Sequence, residues 1–521
     1  CSYDSKTRKL GVPEKIVIMF LRKKKNPSGV ISIQVIDKSK KKYKVLKTIG
    51  SSSDPKEIDI LLNNGHQWIK NFKGQFEFRL NEDVNLTLKV LDNIQQVTVA
   101  GTELLLGNIF DQIGFSQIKD PIFRKLVIAR LCFPASKLKT TELLSKYEFL
   151  EIGVQKVYRY LDKLYNNQKE TVQQISYEHT LKILGNEIRI IFYDVTTLYF
   201  EIDREDDLRK TGFSKEGKHQ HPQILLGLLV TIDGYPLAYE IFEGNKFEGH
   251  TMLPVIETFK EKYRVEKLVI IADSGLLSNE NIKELQTKKY EFILGARIKN
   301  ESKELKKKIL SLKFKNGQSK IIEKGKDTKL IISYSEARAD KDRYNREKGL
   351  QRLEKLIRSG KLTKSSLNKR GYNKFLNLDG NVRISLDESK IEQDAQWDGL
   401  KGYVTNTKLT KKEIIDNYNH LWKIEQAFRI SKTDLKIRPI YHRLQRRIEA
   451  HICIAFVAYK IYKELERQLK EKESDLSPEK AIEIAKTIYK IQVVSTETGE
   501  LITKTLYLKE EQKNLSKLFN F

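Results

Sequence analysis

EIRIIFYDVTTLYF, residues 187–200, is a run of β-branched and aromatic side chains interrupted in its middle by one acid, Asp194. That mixture is the composition of a buried strand. An isolated carboxylate inside such a segment is costly unless it is paired or bound to metal, which makes Asp194 a candidate ligand. Next comes QILLGLLVTIDGYPLAYEIFEG (223–244), two apolar runs around Asp233-Gly234. Asp-Gly between such runs predicts a hairpin with a type I′ turn, and this accounts for Asp233 as a turn residue. KLVIIADSG (267–275) is the short apolar run of a strand buried on both faces. It ends on Asp273, at the carboxyl edge where open α/β sheets hold ligands. The plainer alternative for Asp273 is a cap on the helix that follows, near Ser274. Helical spacing at 250–263 and 278–288 and the strand-like YEFILGARI (290–298) complete the pattern.

Strand, hairpin strands, helix, buried strand, helix, strand is the order of a ribonuclease-H-like fold, α/β with a mixed sheet and helices on both faces. Working outward, the chain divides into six stretches. Residues 1–105 hold an N-terminal β-hairpin, read from the alternating SGVISIQVIDKSKKKYKVLKTIG (28–50), and a linker. Met19 precedes the first patterned segment, and residues 1–18 are assigned no role. Residues 106–187 have helical spacing with breaks at Asp120-Pro121 and near Pro134. Within them, residues 138–164 read as helix, turn, helix with Gln155, Lys156, Arg159 and Lys163 on the polar side; this suits a DNA reader with Arg159 as base contact, and equally a basic helical hairpin. The first part of this fold occupies 188–300, an α/β insertion with a Lys-rich helix (341–360) and strand-like runs (329–335, 382–386, 402–406) occupies 301–405, the fold resumes over 406–466, and a C-terminal element fills 467–521.

Lys and Arg number 96 against 69 Asp and Glu, a net charge of +27, so a polyanion is the natural partner. With 39% hydrophobic and 32% charged residues the chain has material for a core. Its three cysteines have no zinc-ligand or disulfide spacing. No apolar run reaches the roughly 18 residues of a spanning helix, so no membrane partner and a cytoplasmic, nucleoid-associated location are expected.

Metal-dependent phosphodiester chemistry needs carboxylates converging on ions about 3.5–4 Å apart. NYNHLWKIEQAFRISKTDLKIRPIYHR (417–443) offers the third acid, Glu425. Tyr418, Glu425 and Lys432 recur every seven residues, which puts all three on a single stripe of one helix. Ile424, Ala427 and Phe428 can face the core beside it. The plainer alternative is a solvated helix in which Glu425 pairs with Arg429.

This segment resembles the tyrosine, arginine, glutamate and lysine signature of bacterial insertion-sequence DDE transposases of the "insertion sequence four" superfamily, and residues 422–442 resemble its sixteen-thirty-four subgroup. Tyr418, Glu425 and Lys432 match; Leu421 stands where the signature has arginine. The segments around Asp194 and Asp273 resemble the two aspartate motifs. The resemblance implies Asp194, Asp273 and Glu425 as catalytic ligands of two Mg²⁺ ions, with Mn²⁺ as a substitute. Tyr418, Lys432, Arg429, Arg438 and His442 would contact DNA, with Arg446 and Arg447 extending the basic run; Arg438, His442, Arg446 and Arg447 equally suit a solvated helix face. The partners implied are double-stranded DNA, as element ends and target, and a second copy of the chain in the DNA complex. A metal-dependent nuclease without strand transfer, or a catalytically silent transposase-derived DNA-binding protein, are the competing readings.

Overall fold

The computed structural model describes residues 19–521 except 39–41, 73–87, 203, 215, 216, 218, 219, 266, 326, 361, 363–367, 369, 370, 380–382, 496 and 497. Residues 1–18 and the Lys-rich turn at 39–41 thus lie outside the described residues. Two compact units emerge, one of Cys1–Ile94 with Val493–Leu501 and one of Gln95–Gln492 with Ile502–Phe521. The first ends before residue 105, where the sequence suggested a boundary.

In the first unit, β1 (Met19–Lys25), β2 (Ile31–Asp37) and β3 (Lys44–Ser52) form an antiparallel sheet in that order. The expected hairpin is β2–β3; β1 adds a third strand, paired along the whole of β2. Met19, Val35 and Ile69 form its buried centre, Ile69 coming from the helix Pro55–Phe72.

The remaining strands are β4 (Ile94–Val99), β5 (Ile190–Tyr199), β6 (Gln223–Thr231), β7 (Pro236–Glu243), β8 (Val269–Ala272), β9 (Glu291–Ala296), β10 (Ser319–Glu323), β11 (Lys329–Tyr334), β12 (Leu376–Asp379), β13 (Arg383–Leu386), β14 (Leu400–Thr405), β15 (Tyr489–Val494) and β16 (Leu501–Leu506). Eight of these make a mixed sheet in the order β10-β11-β14-β9-β8-β5-β6-β7. The pairs β5–β8 and β8–β9 are parallel and the rest antiparallel. The 301–405 insertion does not interrupt the sheet. Its strands β10, β11 and β14 extend it beyond β9, because β14 pairs with β9 residue for residue from Thr405↔Ile293 to Gly402↔Ala296. The Lys-rich helix spans Glu336–Arg358 and packs Leu353 against Phe375 and Leu376 beside the β12–β13 ladder.

The two-residue period of β5 sorts its side chains between two cores. Ile191, Tyr193 and Val195 join Val255, Ile256 and Phe259 of the helix Met252–Tyr263. Phe192 and Leu198 join the opposite core, with the helices Pro121–Cys132, Trp422–Thr433 and Gln445–Glu471. The last is buried on nearly every side from Ile448 to Leu465, with Glu449, His451, Lys460 and Glu464 among its buried residues; it runs through residue 466, where the sequence placed a boundary.

The β6–β7 hairpin is present, but its turn differs from the predicted type. Gly234 alone takes positive φ (+80°), and its N–H closes the turn onto the Thr231 carbonyl at 2.9 Å. A type I′ turn needs two such residues, and Asp233, bearing a Cβ, stays at negative φ. No helix among the described residues is long and apolar enough to cross a membrane.

Candidate active site

β5 and β8 run parallel in a register that ends at Tyr193↔Ala272. The next residues along the two strands are Asp194 and Asp273. Neighbouring strands lie about 4.8 Å apart, so the two acids occupy neighbouring positions on adjacent strands, Asp194 within β5 and Asp273 just past the end of β8. Asp194 is half-buried and has the strand parity of Phe192, facing the core that holds Ile424, Ala427 and Phe428. Its Oδ1 accepts the Val195 N–H at 2.7 Å. Asp273 heads the short turn Ser274–Leu276 but makes no side-chain cap bond there. Its Oδ1 instead accepts the phenol of Tyr418 at 3.1 Å, so the capping alternative does not describe it.

Tyr418 and Glu425 do not share one helix. Tyr418 belongs to Lys411–Asn419, opened by a Thr410–Glu413 capping box, and Glu425 to the first turn of Trp422–Thr433. The chain turns at His420 and Leu421 between them. The single stripe predicted from seven-residue spacing is therefore broken: Tyr418 is 4% exposed whereas Glu425 is exposed. Leu421, at the signature's arginine position, is a buried core residue. Ile424, Ala427 and Phe428 are buried as expected. No ion pair joins Glu425 to Arg429 among the described residues; the Arg429 charge acts on Glu479.

The Tyr418 ring packs edge-on against Tyr403 of β14, with centroids 4.9 Å apart. Above it stands a cation that the sequence reading missed, Lys401, with Nζ 4.6 Å from the Tyr418 centroid and 5.4 Å from that of Tyr403. Burial lowers the Lys401 pKa and the Arg338 charge adds to this, while the charges of Asp273 and Glu425 oppose it. Burial, then the Asp273 charge, holds the Tyr418 phenol protonated far above its ordinary range. Asp273, Glu425, Tyr418 and Lys401 thus share one electrostatic neighbourhood. In sequence Lys401 opens KGYVT as any surface lysine might; only the pairing of β14 with β9 brings it here.

The two aspartates offer the oxygen donors that hard divalent cations take. Among the described residues, no three His, Cys, Asp or Glu side chains are grouped so as to hold one ion. The register sets Asp194 and Asp273 on adjacent strands, and Glu425, on an exposed helix turn, acts with Asp273 on the Lys401 ammonium.

The predicted DNA contacts fall into three groups. Arg159 is exposed with Gln155, Lys156 and Lys163 along the helix Val154–Lys163, which follows the helix Lys137–Glu148 through a short connection. Arg429 is exposed and Lys432 half-buried. Arg438 lies over the Tyr199 ring at 5.6 Å, and His442 meets the rings of Tyr158 and His451 edge-on. Arg446 and Arg447, expected to extend the basic run, are both bonded to Asp162, at 2.8 and 2.9 Å from Nε to Oδ1.

Residues 185–461 match the family model described as the transposase DDE domain. Among solved structures, the chain is similar to a piggyBac transposase in a cryo-EM synaptic complex with hairpin DNA, at 10% identity over 77% of each chain and a TM-score of 0.37. It is also similar to the Mos1 transposase in a paired-end complex with a left transposon end, at 13% identity over 30% of this chain and 58% of that one, with a TM-score of 0.15. No curated protein matches.

Proposed function

The chain belongs to the transposase DDE domain family, whose model takes in more than half of its 521 residues, and on that premise we propose that it is a DNA transposase that cuts at the ends of its own insertion sequence and joins them to target DNA. The observation that carries this reading is the placement of Asp194 and Asp273 on adjacent parallel strands, beneath the helix that bears Glu425. The strand order β7-β6-β5-β8-β9, antiparallel through β5 and parallel beyond it, supports a ribonuclease-H-like catalytic core. Tyr418 and Lys432 support the "insertion sequence four" relationship and its sixteen-thirty-four subgroup, with the buried Leu421 as the departure.

Asp194 and Asp273 would hold Mg²⁺, with Glu425 completing the site by turning inward from its helix. Two such ions supply charge stabilisation to the attacking and leaving oxygens of a phosphodiester. The protein's own share is positional. The Tyr418 phenol fixes the carboxylate of Asp273, and the Lys401 ammonium places positive charge where a scissile phosphate would lie. Arg429, Lys432 and Arg438 would hold the strand, Arg159 would read the element end, and two copies would pair the ends.

The test compares cleavage and binding on one DNA. In Mg²⁺, Asp194→Asn, Asp273→Asn and Glu425→Gln should each abolish cleavage and leave the gel shift nearly unchanged, since an amide cannot replace an anionic ligand. Equal loss of binding and cleavage would mark a folding role and defeat the assignment. Wild-type cleavage without joining would identify a nuclease, and binding without cleavage a silent DNA-binding protein.

A further inference from the structure

A cavity of about 550 Å³ that neither aspartate lines lies between the start of the helix Lys137–Glu148 and the segment that follows the glutamate helix. Its described walls hold Arg130, Lys137, Lys139, Lys436 and Arg438, two histidines and no carboxylate. Arg130 and Lys137 are each only 4% exposed. Among the described residues Arg130 reaches two backbone carbonyls, those of Leu435 and Lys436, each at 3.4 Å. Lys137 meets the Nδ1 of His451 at 3.5 Å, while His451 Nε2 lies 3.0 Å from the Ile437 carbonyl. With Nε2–H donating to that carbonyl, Nδ1 is left as acceptor for the ammonium, and the imidazole is neutral. Neither cation has an anionic partner among the described residues.

Two buried like charges without a counter-charge are expensive, because desolvation and mutual repulsion act in the same direction. Burial holds the Arg130 pKa down to about 10 and, joined by the Arg130 charge, lowers that of Lys137. The first residues of the helix Lys137–Glu148 also line the cavity, adding backbone N–H groups and the positive end of a helix dipole. An anion relieves all of these costs together. Three fixed sources of positive potential around a concave site suit a tetrahedral oxyanion.

We propose that this cavity is an anion site that takes a phosphate group, with Arg130 and Lys137 at its floor and Arg438 at its wall. Two sources carry that chemistry, a phosphodiester of a bound DNA strand and free phosphate. The site stands whether or not the chain transposes; only its DNA source rests on the function proposed above.

The probe is inorganic phosphate added to the full chain, with chloride at equal ionic strength as control. Wild-type protein should show a saturable rise in melting temperature and a single-site calorimetric heat with phosphate alone. Lys137→Met should lose both while melting no lower than wild type in chloride, since it removes an uncompensated buried cation. Lys139→Met, changed at the exposed rim, should keep both. Should Lys137→Met fail to fold, Arg438→Met should weaken phosphate binding at least several-fold. No phosphate effect on wild type, or the same effect on Lys137→Met, would overturn the proposal. Duplex binding against salt then separates the sources. A log–log slope for Lys137→Met shallower by about one marks a DNA phosphate, and an unchanged slope with the phosphate effect lost marks free phosphate.

Discussion

The Tyr418 phenol has one visible duty, its hydrogen bond to Asp273. The spacing from Glu425 singled out this tyrosine and the family resemblance implied a DNA contact for it, but a side chain 4% exposed works through the carboxylate it touches. Tyr418→Phe deletes the donor and keeps the ring against Tyr403, so stability should change by about 1 kcal/mol. Cleavage should need more Mg²⁺ for half-maximal rate, with duplex affinity unchanged; a purely structural tyrosine would lower stability without moving the Mg²⁺ requirement. A second prediction concerns His442. Burial pushes its pKa down to about 3, and the charges of Lys137, Arg130 and Arg447 act in the same direction. Between about pH 6.5 and 3 the unfolded imidazole binds a proton that the folded one refuses. The neutral ring's contribution is therefore complete above about pH 6.5 and is lost as pH falls toward 3, at up to about 1.4 kcal/mol per pH unit. Urea midpoints measured from pH 7 to 4 should fall less steeply in His442→Gln than in wild type. Equal slopes would mean that the ring is protonated in the native state.

The elements that carry the acids were the most legible in the sequence. β5, β8 and the β6–β7 hairpin are apolar runs bounded by charge or Gly, and their order alone implied a mixed sheet. The break between Tyr418 and Glu425 was not legible, because Asn419, His420 and Leu421 include neither Gly nor Pro and the seven-residue period continues through them. Nor was the sheet's extension. β10 is short and lysine-bearing, and the partner that fixes the added strands, β9, lies far away in sequence. Arg130 gave one usable signal, a guanidinium inside the apolar run VIARLC, but its meaning depends on Lys137 and on the segment after the glutamate helix. β9 also imposes a condition of its own. A Cβ at Gly295 would meet the Tyr418 phenol oxygen and, at 2.9 Å, the backbone nitrogen of Ser274. That contact with backbone cannot be relieved by a rotamer change. Gly295→Ala should destabilise by about 1–3 kcal/mol, displace the phenol from Asp273, and reduce cleavage more than Tyr418→Phe does. Full cleavage in Gly295→Ala would show that the phenol's position is immaterial.

For the whole molecule, the net charge of +27 sets the scale of its encounter with DNA. Lysines and arginines on phosphates release counterions, so duplex affinity should fall linearly on log–log axes with salt, by about 0.9 for each phosphate neutralised. A flat salt dependence would show that the excess charge is not used on DNA. Charge cannot distinguish a cutter from a binder; the acids can. The most direct measurement is anomalous X-ray scattering from Mn²⁺ in crystals of the protein bound to a duplex of its element end. The account predicts a manganese peak between the carboxylates of Asp194 and Asp273, with Glu425 turned toward it. Manganese bound elsewhere, with Asp194 and Asp273 free of it, would contradict the account.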